Sequence, residues 1–280
     1  MQSKILSRRD IEFLIYEWLQ VDVLCARERF ADHTRATFDA ALDVAERIAT
    51  DCFYPINRLL DTQEPHFDGE RVSCPPQLKE AVRIFCEAGL VAAGCDYELD
   101  GMQLPCAVEK AALAYCYGAS VSATAYLMLT SANANLQLAH GSKADVEHFV
   151  APMLKGRFFG TMCLSEPQAG SSLADIRTRA ERQPDGSFRL FGNKMWISGG
   201  DHDLTDNIVH LVLAKIPDDS GNLIAGTKGI SLFIVPKVLV RGDGSLGERN
   251  DVAVAGLNHK MGYRGISNCL LNFGEGRYRP

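Results

Sequence analysis

The feature that most constrains this chain is a change of hydrophobic period near residue 158. Upstream, apolar residues recur every three or four positions, the repeat that buries one stripe of a helix. The stripes are Ile11, Leu14, Ile15, Trp18 and Leu19, then Phe38, Ala41, Leu42, Ala45, Ile48, Ala49 and Cys52. Leu78, Val82 and Phe85 follow Pro75-Pro76 and stop near Gly89, and Val146, Phe149, Val150, Met153 and Leu154 close at Lys155-Gly156. Ser7 and Asp10 offer a capping box, and Pro55 is expected to interrupt the second helix. Downstream, short β-rich runs at 158–165, 188–191, 208–214, 230–235 and 269–273 alternate with turns such as Pro184-Asp185-Gly186. Strands spaced this way, with no helices between them, predict a small barrel or sandwich rather than a βαβ sheet. The expected class is α+β: an all-helical domain over 1–157, then an all-β domain over 158–280.

One segment invites a membrane reading. No formal charge lies between Lys110 and Lys143, a length sufficient to span a bilayer. Its small and polar content, including Ser120, Ser122, Thr124, Thr130, Asn133 and Asn135, predicts a buried helical hairpin instead. The start, Met1-Gln2-Ser3-Lys4 followed by Ile5-Leu6 and Arg8-Arg9-Asp10, holds no apolar signal-peptide core. Nine cysteines form no C-x-x-C pair and stand at no zinc-finger spacing, so a reducing, cytoplasmic compartment and no metal site are expected. The 29 basic and 35 acidic residues sum to −6, which argues against a polyphosphate backbone as main partner.

Gly242-Asp243-Gly244-Ser245-Leu246-Gly247 spells G-x-G-x-x-G, but no helix-forming run follows to receive a pyrophosphate, so a loop is expected. The seven histidines show no ligand spacing, and no G-x-S-x-G elbow is present. A stronger signal is Met162-Cys163-Leu164-Ser165-Glu166-Pro167-Gln168-Ala169-Gly170-Ser171-Ser172. Here a strand ends in a tight turn with small hydroxyls and a glycine, whose amides can approach a flat polar ring. About 25 residues on, Gly192-Asn193-Lys194-Met195-Trp196-Ile197-Ser198-Gly199-Gly200 presents an indole and, two residues later on the same face, a hydroxyl. By themselves both segments also read as ordinary hairpins.

Taken together, these two segments resemble the middle domain of the acyl-CoA dehydrogenase family. Gly229-Ile230-Ser231-Leu232-Phe233-Ile234-Val235-Pro236, Lys260-Met261-Gly262-Tyr263-Arg264-Gly265 and Leu271-Asn272-Phe273-Gly274-Glu275 follow in the family's order and spacing. The ending Glu275-Gly276-Arg277-Tyr278-Arg279-Pro280 looks most like the larger bacterial dehydrogenases, the methylmercaptopropionyl-CoA type among them. The resemblance implies an FAD site at Met162, Leu164, Ser165, Gly170, Ser171, Trp196, Ile197 and Ser198. Leu164 and Ser165 would meet the flavin's pyrimidine edge with Met162 beside the ring, and Gly170 and Ser171 would face the phosphates or ribityl chain. Ser171 would also touch substrate, Trp196 would shield the ring, and Ser198 would bond near N5. Ser165 and Ser198 stand where Thr is commoner, each keeping a hydroxyl, and Ser172 replaces the usual Asp, so that carboxylate is absent here.

The implied reaction is α,β-dehydrogenation of an acyl-CoA thioester, and the resemblance implies an electron-transfer flavoprotein as acceptor and a homo-oligomer as assembly. A carboxylate removes the α-proton while the β-hydride passes to the flavin. In the family that glutamate belongs to a C-terminal helical bundle that this sequence does not contain, so no catalytic residue is named. Glu166 matches a structural family residue rather than the base. Weak or no FAD retention is expected of the chain alone. The alternatives are a non-catalytic acyl-CoA or flavin-binding relative, or half of a split enzyme; a DNA-associated relative is disfavoured by the negative charge.

Overall fold

The computed structural model describes residues 4–278. Met1, Gln2 and Ser3 of the opening segment and Arg279 and Pro280 of the ending lie outside the described residues. The helical half opens with α1 (Arg8–Glu12), whose cap Ser7 accepts the Asp10 amide. A π-helical turn, Phe13–Trp18, follows directly. The extra residue in that turn rotates the first stripe off its axis. Ile15 is buried, but Trp18 and Leu19 are 70% and 57% exposed, which corrects the expectation of one continuous apolar face.

α2 (Arg35–Ile48) carries a complete capping box at Thr34 and Thr37 and buries Phe38, Leu42, Ala45 and Ile48. Pro55 interrupts the helical run as expected. A π turn (Ala49–Phe53) and a 3-10 turn (Tyr54–Ile56) lead on into α3 (Asn57–Thr62), with Pro55 in a first-turn position where its missing N–H costs little. A short hairpin, β1 (His66–Phe67) with β2 (Val72–Ser73), precedes α4 (Pro76–Glu87).

The uncharged segment forms α5 (Cys106–Ala119) and α6 (Val121–His140), separated by Ser120 alone in an extended conformation. Among the described residues no helix is long and apolar enough to cross a membrane. α7 (Lys143–Asp145), a π turn and α8 (Ala151–Leu154) complete the helical half.

Strands begin at Phe158, where the period changes. They are β3 (Phe158–Cys163), β4 (Arg179–Arg182), β5 (Phe188–Ser198), β6 (Asn207–Lys215) and β7 (Ile230–Pro236). β8 (Val238–Val240), β9 (Leu246–Arg249), β10 (Val252–Leu257) and β11 (Asn268–Phe273) follow. The main sheet runs β10-β11-β5-β4-β6-β3, with β7 added antiparallel on β6. β3 and β6 are parallel, Thr161 beside His210. β4 carries too few apolar residues to announce itself, and β5 extends well past its expected end at 191. The G-x-G-x-x-G stretch turns the β8–β9 hairpin, with Gly244 in the left-handed region, so it is a loop as expected.

The polar residues that spoke against a membrane span attach the helices to the sheet. Asn133 donates from Nδ2 to the carbonyls of Thr161 and Val209, both at 2.9 Å, and accepts from Gln137 at 2.6 Å. Thr130 Oγ1 accepts the Gly160 amide at 3.1 Å. Any Cβ on Gly160 would lie 2.5 Å from Asn133 Cβ, so only glycine lets α6 approach this closely. One apolar core runs through this contact, joining Phe38, Tyr115 and Tyr126 of the helices to Phe158, Phe159 and Val209 of the sheet. A smaller one, with Cys163, Ile197, Val212 and Phe273, fills the curl of the β half.

Candidate functional site

The site grows from the end of β3. Phe158 to Thr161 and Cys163 are buried, and Met162 is the strand position that stays half-exposed. Leu164 and Ser165, also half-buried, lead into a tight turn closed by two bonds: Glu166 N–H to Ala169 O at 2.8 Å, and Ala169 N–H to Glu166 O at 3.1 Å. Beyond the turn Gly170 and Ser171 are exposed, and a Cβ on Gly170 would meet open space.

The Glu166 side chain points inward. Its Oε1 accepts from Thr178 Oγ1 at 2.6 Å, the Thr178 amide at 3.0 Å and Lys194 Nζ at 2.9 Å. Its Oε2 accepts from the Arg177 amide at 2.7 Å and Gln168 Nε2 at 2.8 Å. Burial pushes this carboxyl up, but the Thr178 hydroxyl, the Arg177 amide and Lys194 together outweigh it and hold it at about 2. Lys194, fully buried, is pushed down by desolvation and held charged by Glu166. Its ammonium also donates to Leu164 O at 3.0 Å. Gly192, at φ +148°, is required for this packing, since a Cβ there would lie 2.6 Å from Thr178 Oγ1.

β5 then returns to the turn, where the Met195 amide donates to Ser165 O at 2.9 Å. Against β11 the register slips, Lys194 facing Leu271 while Ile197 faces Cys269, so Met195 and Trp196 form a bulge. Trp196 takes φ +64°, a strained backbone for so bulky a residue, and its indole is 57% exposed. Such outliers persist only where surroundings over-determine them, and they cluster at ligand sites. Ser198 ends the strand half-exposed, its Oγ accepting from Asn268 Nδ2 at 3.3 Å.

The structure therefore bonds Ser165, which follows Met162 and Leu164 in the chain, to Met195, the residue before Trp196, with Ser198 at the end of the same strand. Gly170 and Ser171 sit farther out on the turn. Ile197 differs from the others: its side chain is 2% exposed and packs in the β core, leaving only its backbone for a ligand. Sequence reasoning missed Lys194, Thr178 and Gly192 as supports. One sign was available, since Lys194 has the parity of buried Leu190 along β5. The left-handed backbone of Trp196 left no sign.

Residues 161–275 match the model of the acyl-CoA dehydrogenase middle domain. The chain carries an acyl-CoA dehydrogenase middle domain. A butyryl-CoA dehydrogenase of Syntrophomonas wolfei is 36% identical over 279 residues, covering 98% of this chain and 45% of the relative. A 3-methylmercaptopropionyl-CoA dehydrogenase of Ruegeria pomeroyi is 34% identical over 268 residues, covering 95% and 44%. The chain thus spans a little under half the length of these relatives. The fold matches an acyl-CoA dehydrogenase from Bacillus anthracis solved with FAD, with TM-score 0.67 at 19% identity over 88% of this chain and 37% of that one. Within this family fold, Glu166 is unsuited to proton abstraction. A carboxylate held near 2 and saturated by five donors is a weak base with no free lone pair facing solvent. Among the described residues no cluster of His, Cys, Asp or Glu could hold a metal.

Proposed function

We propose that this chain, as a helical unit over 1–157 and a β unit over 158–280, forms the FAD-binding part of an acyl-CoA dehydrogenase acting on an acyl-CoA thioester. The observation that carries the reading is the Met195–Ser165 bond, which sets an exposed, strained indole beside a turn with exposed hydroxyls and amides. The residues suit a flavin on chemical grounds. Trp196 offers a large aromatic face, and the backbone of Leu164, Ser165 and Ile197 and the hydroxyls of Ser165 and Ser198 offer bonds to a polar ring edge. Ser171 and Gly170 lie where a chain of phosphates or a pantetheine arm could pass without meeting a side chain.

When bound, the cofactor supplies acceptance of a hydride from the acyl β-carbon. The chain's own residues would hold and orient it: Trp196 would cover the ring and exclude water there, Met162 would lie beside it, and Ser198 would offer it a hydroxyl. Glu166 keeps the turn in shape and moves no proton. No base is assigned within 1–280. An electron-transfer flavoprotein as acceptor, assembly as a homo-oligomer and a cytoplasmic setting complete the proposal.

The test is a titration of the full chain with FAD, followed by quenching of indole fluorescence in a Trp18→Phe background. Saturable binding with quenching is expected, and equilibrium dialysis followed by flavin absorbance, which needs no indole, should show it weakened about tenfold or more by Trp196→Ala and by Ser165→Ala. Failure to saturate by roughly millimolar FAD overturns the reading, as does equal affinity in all three proteins.

A further inference from the structure

We infer that the buried Glu166–Lys194 pair is a positioning device for the cofactor site, locking the Leu164–Ser165 edge and the left-handed backbone of Trp196 into one rigid unit. The inference rests on the reading of these residues as a flavin site, and it adds the residues that hold them.

The geometry is one of consecutive tethers. The Lys194 ammonium bridges Glu166 Oε1 and the carbonyl of Leu164, two points on the turn separated by Ser165. The next residue, Met195, bonds through its amide to Ser165 O. Trp196 follows in its strained conformation, and Ile197 plunges into the β core. Trp196 is thus fixed on both sides, by the turn before it and by the core after it. Thr178 and the Arg177 amide fix the far side of Glu166, so the anchor is itself anchored to the start of β4.

Stability does not explain the pair. Removing two charges from water is costly, and apolar side chains of like volume often serve a core as well or better. Lys194 lies along a strand whose other inward positions include Leu190 and Ile197, so an apolar residue fits the sequence pattern there. An apolar residue, however, could not donate to Leu164 O, and that carbonyl borders Ser165. The ion pair gives directional bonds at a place where packing alone would leave the turn free to shift.

The experiment uses the full chain carrying Lys194→Met and Glu166→Gln together, which keeps volume and leaves no lone buried charge. Amide exchange is followed residue by residue, with Trp196 accessibility read by acrylamide quenching in the Trp18→Phe background. The expected result is a loss of about a hundredfold in protection at the Met195 amide and stronger quenching of Trp196, while amides of β6 and β7 keep their protection. Unchanged Met195 protection in the folded double variant overturns the proposal. Should that variant not fold, Thr178→Val removes one donor from Glu166 at constant shape. A loss of about fivefold or more at Met195 then supports the proposal, and no loss overturns it. Titration with FAD separates the two readings. If the unaltered chain binds FAD, the double variant should bind about tenfold more weakly, and equal affinity overturns the positioning role. If the unaltered chain does not bind FAD, the functional reading falls, and the exchange result alone decides whether the pair positions the turn.

Discussion

The chain's two tryptophans are both largely exposed, Trp196 at 57% and Trp18 at 70%, and they stand for two kinds of surface. Trp18 closes a π-helical turn, beside Phe13, Leu14, Leu19 and Val23, which are exposed too. Its backbone is helical and relaxed, and its exposure follows from the extra residue that turned the stripe outward. Trp196 sits on a bulge in a strained conformation, with bonds to a neighbouring turn just before it and core just after it. Exposure of an aromatic ring therefore says little by itself. Constraint is the informative quantity, because a backbone outlier must be held by its surroundings.

The comparison can be broken at its strongest point first. Lys194→Ala leaves the Glu166 carboxylate buried without its cation and should cost about 3–5 kcal/mol, read by denaturant unfolding. A cost near zero would mean that Trp196 is no better held than Trp18. The next expected effect is acid sensitivity. In the fold the Glu166 carboxyl is held at about 2, below its ordinary 4.5, and burial holds His210 at about 3, below its ordinary 6.5. The unfolded chain therefore takes up protons first as pH falls. The His210 contribution is lost from about 6.5 downward and the Glu166 contribution from about 4.5 towards 2. Thermal midpoints of Glu166→Gln with Lys194→Met should fall less steeply than those of the unaltered chain in the lower window and equally in the upper one.

A smaller effect is expected from relieving strain. Trp196→Gly should raise stability by about 1 kcal/mol while weakening FAD binding about tenfold in equilibrium dialysis, the opposed signs expected of a strained binding residue. Smallest is Trp18→Ser, which should change stability by no more than about 0.5 kcal/mol and leave FAD titrations unaltered. A large effect of Trp18→Ser on FAD binding would erase the distinction.

Much of the architecture was legible, and the misses have physical causes. The switch from helix to strand at 158 was visible because burial of a stripe and of an alternating face leave different periods. Thr130 and Asn133 were recognised as too polar for lipid, yet their use in binding sheet carbonyls could not be foreseen, since those partners lie about thirty or more residues away. The interruption at Pro55 was legible because proline lacks a donor, whereas the helical turns that resume from it were not, because they depend on its landing in a first-turn position that needs none. Of the site, the exposed turn and the indole were legible as motifs. Their supports were legible only in the parity of Lys194 with Leu190, a sign outweighed because a lysine in a strand usually marks the solvent face.

Residue order by itself determined where helices give way to strands, which segments cannot lie in a membrane, and which motifs belong to the acyl-CoA dehydrogenases. These are local properties, fixed by period, charge and short spacing. Only the tertiary structure decided that Ser165 and Met195 share a bond, that Glu166 is pinned by Thr178 and Lys194, and that Trp196 projects from a bulge. Each of these depends on contacts between residues well separated in the chain, whose energies exist only once the sheet has curled to bring them together.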